Sequence, residues 1–150
     1  MRRAQVWVWA ALMIATVGLE PARAQSGSCA KSDFEAVVDE AAGALRTLNQ
    51  QNTPAFQAKL RQLKDKRGWS HDQFMQEAAP FVRDATIAGF DQKSEELLAR
   101  ITSGGQEGSA GGTPNCALLT DLRAQMKTLV DTQKAKWAYM FQKIDQTLAK

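Results

Sequence analysis

The most constraining feature of this sequence is a stripe of Leu119, Leu122, Met126, Leu129, Gln133, Trp137, Met140, Ile144 and Leu148, stepping by three and four residues almost to the last position. A helix completes a turn every 3.6 residues, so this spacing lays all nine side chains along one face of a single long helix. That face is apolar apart from Gln133 and must be buried against other elements.

The rest of the chain supplies helices of matching length. From Ser32, the residues Phe34, Val37, Val38, Ala41, Leu45 and Leu48 keep the same spacing, and Ser32 with Glu35 has the form of a capping box. Thr53-Pro54 is a fresh cap with proline at a first helical position, so the helix is expected to kink or break there. Phe56, Leu60 and Leu63 then continue the stripe up to Gly68, a natural stop. Ser70 with Gln73 forms a second capping box, followed by Phe74, Met75, Ala78, Phe81, Val82 and Ala85, then Leu97, Leu98 and Ile101. Pro80 should bend that helix. Residues 103–113, rich in glycine and serine with no apolar anchor, read as a flexible loop. Pro114 and Asn115 open the last helix.

No strand pattern competes with these. The expected fold is all-α, an antiparallel bundle of three long legs (32–67, 70–102 and 115–149) kinked near Pro54 and Pro80. Each leg would be roughly 50 Å long at 1.5 Å per residue.

Met1 to Ala24 reads as a secretory signal peptide. Arg2 and Arg3 give the positive start, Val6 to Leu19 the apolar run, and Ala22-Arg23-Ala24 the small-x-small cleavage site. The apolar run falls short of the roughly 20 residues of a spanning helix. Residues 25–150 then form one domain, expected in the periplasm or secreted. Cys29 lies too far beyond Leu19 for a lipoprotein signal.

An exported chain with two cysteines implies one disulfide, Cys29–Cys116. In a three-leg bundle the first and third legs run parallel, so their N-termini meet where these cysteines stand. In a simple up-down four-helix bundle those starts would lie a helix length apart, beyond the reach of a disulfide. If Thr53-Pro54 reverses the chain, four helices would need a less regular arrangement.

Charge excludes further classes. The full chain carries 19 bases and 16 acids, but the leader removes three bases and one acid, which leaves a net charge of +1. Such a balance gives little support to nucleic-acid binding. The glycine-rich loop lacks the Gly-Lys-Ser/Thr ending of a phosphate-binding loop, and no Cys-x-x-Cys-His haem site is present. His71 and Met75 lie one turn apart as soft ligands for copper, yet two ligands make no metal site, and an exposed histidine beside a core methionine explains them. No cofactor is expected.

For catalysis, Glu35 with Asp39 and Asp91 with Glu95 are carboxylate pairs one turn apart, which are commonplace on exposed helices. An Arg and Lys clamp can be drawn from Arg46, Lys59, Arg83 and Arg123 only by arbitrary selection. No catalytic constellation emerges, so the chain is expected not to be an enzyme.

What remains is binding. In the three-leg arrangement Asp33, Glu35, Asp39 and Glu40, with Asp91, Glu95 and Glu96, would collect at the disulfide end. Lys59, Arg61, Lys64, Lys66 and Arg67, with Lys134, Lys136, Lys143 and Lys150, would collect at the other. The basic end suits an envelope protein or an anionic membrane surface. Ordinary helix-end charge preferences explain the same sorting. Trp69, Trp137, Met140 and Phe141 would lie beside it, either as core or as a groove for a partner or a small apolar ligand. The expected binding set is Lys59, Arg61, Lys64, Arg67, Trp69, Trp137, Met140 and Phe141. A chaperone-like interaction module is the leading expectation, a carrier of a small amphiphilic ligand the second, and a small helical enzyme the third.

Overall fold

A computed structural model describes residues 29–150, which contain five helices and no strand. The leader expected at 1–24 lies outside the described residues.

α1 (Lys31–Arg67) begins slightly before the expected capping box, and a different residue caps it: Asp33 Oδ2 accepts from the Ala30 N–H at 2.9 Å. It then runs for 37 residues straight through Pro54. Proline removes one helical hydrogen bond, but Pro54 faces solvent while Phe56 and Leu63 beyond it are buried, so packing holds the helix together. Gly68 ends it in the left-handed conformation at φ 65°, and Trp69 N–H donates to the Lys64 carbonyl at 3.1 Å, closing the last turn.

The expected second leg is not one bent helix. It is α2 (His71–Glu77), α3 (Ala79–Val82) and α4 (Ala85–Ala110). The Ser70–Gln73 capping box forms as expected, with both reciprocal bonds present. Pro80 sits in the first turn of α3, where a missing N–H costs nothing. The real break falls at Arg83 and Asp84, both extended, and Asp84 caps α4 by accepting from the Ile87 N–H at 2.8 Å.

The glycine-rich segment expected as a loop is helix up to Ala110, which leaves only 111–115 as the connection. Gly104 and Gly105 are buried. A methyl added at Gly104 would stand 2.6 Å from Leu122 Cδ2, and one at Gly105 would stand 2.7 Å from Val38 Cγ2. These glycines make the face by which α4 enters between α1 and α5, and close packing outweighs their poor helix propensity. α5 (Cys116–Leu148) is capped by Asn115, whose Oδ1 accepts from the Leu118 N–H at 3.0 Å.

The Cys29–Cys116 disulfide forms, with Cα atoms 5.1 Å apart at the heads of α1 and α5. At the other end Lys66 Nζ donates to the Leu148 carbonyl, so α1 and α5 run side by side in the same direction. α4 opposes them: Asp84 near its start meets Lys143 late in α5, and Gly104 near its end meets Leu122 early in α5.

The core divides in two. Phe34, Val37, Ala41, Ile101, Leu119, Leu122 and Leu129 pack behind the disulfide, while Phe56, Leu63, Phe81, Ile87, Met140 and Ile144 pack at the distal end. Between them on α4 and α5 lie buried Ser94 and Thr132. The hydroxyls donate to the Phe90 and Thr128 carbonyls, and Gln133 Nε2 donates to Ser94 Oγ at 2.6 Å, so this waist is hydrogen-bonded rather than greasy. Gln133, the polar step in the last stripe, belongs to it.

Candidate functional site

The residues expected to bind all fall in the distal half, but they divide by environment. Met140 is buried, and Trp137 and Phe141 are half-buried around the Phe56 ring, edge-on at centroid distances of 5.9 Å and 5.5 Å. Trp137 also donates its indole N–H to Asn49 Oδ1 at 3.3 Å. These side chains, with half-buried Trp69, wall the distal core.

The bases lie along the end of α1. Lys59 reaches across to Asp145 of α5, an exposed pair worth at most about 1 kcal/mol. Lys64 Nζ stands 5.8 Å from the centre of the Phe74 ring, a cation–π contact between α1 and α2. Arg61 and Arg67 are exposed.

The expected sorting of charge into two poles needs correction. Asp91, expected at the disulfide end, pairs with Lys136, and Asp84 pairs with Lys143. α4 enters the bundle at the distal end, so the acids of its first turns meet the bases of α5 there. Asp84 Oδ2 accepts from the Tyr139 hydroxyl at 2.8 Å as well as from Lys143, and Lys143 also donates to the Pro80 carbonyl. The Lys143 ammonium, then the Ile87 N–H, hold the Asp84 carboxyl down at about 2 against the opposing pull of partial burial. This knot pins the α3–α4 turn onto α5.

Two surface cavities open at this end. One, of about 440 Å³, is lined by Arg67, Trp69, Glu77, Pro80, Phe81 and Thr147. The other, of about 320 Å³, lies between α1 and the α2–α3 pair, lined by Leu60, Phe74, Met75, Ala78, Val82 and Arg83 among others. Met75 is 62% exposed and Val82 39%. The core position expected for Met75 is not found, and α2 buries no residue at all. The apolar spacing of 74–82 was legible, but no feature of it says which stripe of a short helix finds a partner within its own chain.

Among the described residues no cluster of three or more His, Cys, Asp or Glu could hold a metal ion, and no helix is long and apolar enough to cross a membrane. His71 is exposed in the first turn of α2. No family model, no curated protein and no solved structure matches the chain.

Proposed function

We propose that this chain is an exported interaction module of the cell envelope, chaperone-like in that it holds another protein through the distal end of a three-leg helical frame. On this reading residues 1–24 are its cleaved leader. α1, the α2–α4 run and α5 are the legs, and the disulfide staples the first to the last. Lys59, Arg61, Lys64 and Arg67 give the partner its electrostatic approach, with Trp69, Trp137, Met140 and Phe141 as the packed wall behind them.

One observation carries the reading: apolar Met75 and Val82 stand open to solvent beside the basic end of α1. Contiguous exposed apolar surface rimmed by polar groups is a mark of interaction sites.

Native mass spectrometry of the protein taken gently from its own host's envelope fraction tests this. A protein-sized added mass that disappears when the four bases are changed to glutamate supports it. An increment of a few hundred daltons would move the reading to a carrier, and retention of the partner by the four-glutamate variant would remove the basic end from it.

A further inference from the structure

The groove between α1 and α2–α3 has properties that define what fits it. α2 is a seven-residue helix that buries none of its side chains, far below the length at which a helix holds itself together in water. Its capping box and the Lys64–Phe74 contact keep it formed. Phe74, Met75, Ala78 and Val82 present apolar surface along two to three turns of α2 and α3, with Leu60 of α1 as the opposite wall. Lys64 and Arg83 stand at its rim, and Arg61 is exposed one residue from Leu60.

Resting on the interaction-module reading above, we infer that this groove takes an amphipathic helix of a partner protein, apolar on the buried side and acidic on its flanks. An apolar trough of two to three turns matches residues spaced three, four and seven apart on a docked helix. Methionine at its centre adapts to varied side chains. The cationic rim selects carboxylates over bases on the flanks, because like charges brought together at a rim oppose association.

The test uses two synthetic helical peptides with identical leucine stripes, one flanked by glutamates and one by lysines, titrated against the disulfide-bonded protein by fluorescence anisotropy. The acidic peptide should bind at least tenfold more tightly than the basic one. M75E and V82E should each weaken it at least tenfold with the helical circular dichroism spectrum unchanged, since both side chains are exposed. The double variant R61E/R83E, which leaves the Lys64–Phe74 contact intact, should reverse the preference between peptides.

Three results would overturn the inference: equal binding of the two peptides, capture of anionic phospholipid vesicles without either peptide, or a dimer in sedimentation equilibrium that M75E dissociates. If the peptides fail while the four-glutamate variant still loses its envelope partner, the groove assignment falls and the interaction-module reading stands. If the envelope partner is also retained, both fall.

Discussion

Gly108 of α4 lies so close to the ring of Phe34 in α1 that a methyl group placed there would fall within the ring's own volume. The contact closes the disulfide half of the bundle. Gly108 lies in the last turn of α4, and with the Phe34 ring this near no larger residue fits there unless the ring moves.

The contrast with Gly43 makes that testable. Gly43 lies inside α1 with nothing within 4 Å of an added methyl. G43A should therefore stabilise the protein by about 0.5–1 kcal/mol through helix propensity alone. G108A should destabilise it by about 1–3 kcal/mol, as overpacked cores do. Urea unfolding of the two variants checks both signs, and stabilisation by G108A would show that α4 does not enter the bundle this way.

The exposed groove and the distal core should separate in the same assay. Leu63 is fully buried, and L63A should cost about 2–5 kcal/mol from lost burial and the cavity left behind. M75A should change stability by no more than about 0.5 kcal/mol, as surface changes do. A large loss from M75A would mean that the residue already has its partner within the chain.

The knot at Asp84 sets part of the acid sensitivity. Its folded carboxyl titrates near 2 against an ordinary 3.8, so the stabilisation is fully present above 3.8 and fades as pH falls toward 2. Asp131, lowered by Lys127, adds to the same trend. D84N should be less stable than the parent at neutral pH and show a shallower loss of stability across that acid window, measured by urea midpoints at successive pH values. Parallel acid limbs in the two proteins would place the titrating group elsewhere.

Removing the disulfide should cost on the order of 4 kcal/mol, since the linked residues are 87 positions apart and the open unfolded chain regains that freedom. Denaturation of a C29S/C116S variant measures it. A loss below about 1 kcal/mol would indicate an unfolded chain already compact without the link.

Helix class and the long stripes were legible in the sequence because burial repeats at the helical period, and the Cys29–Cys116 link because the chain holds only two cysteines. Pro54 misled because a proline's cost depends on which side of the helix it faces, and the helix around it is held by Phe56 and Leu63. Gly104, Gly105 and Gly108 misled for a related reason: the same residues serve a flexible loop or a tight helix crossing, and only the neighbours Leu122, Val38 and Phe34 distinguish the two. The break at Asp84 was hidden because its fixing partners, Tyr139 and Lys143, lie more than fifty positions away. Of the candidate site, the bases were readable, whereas the openness of Met75 is a property of what fails to cover it.

The disulfide divides the molecule mechanically. It closes α1 to α4 into one covalent ring and leaves α5 outside, attached by its first residue. A pull on the two chain ends would run from the N-terminal side through the sulfurs directly into α5, bypassing the ring. α5 would peel away from its C-terminal end and lift off α1 and α4, while the four ringed helices carry no tension.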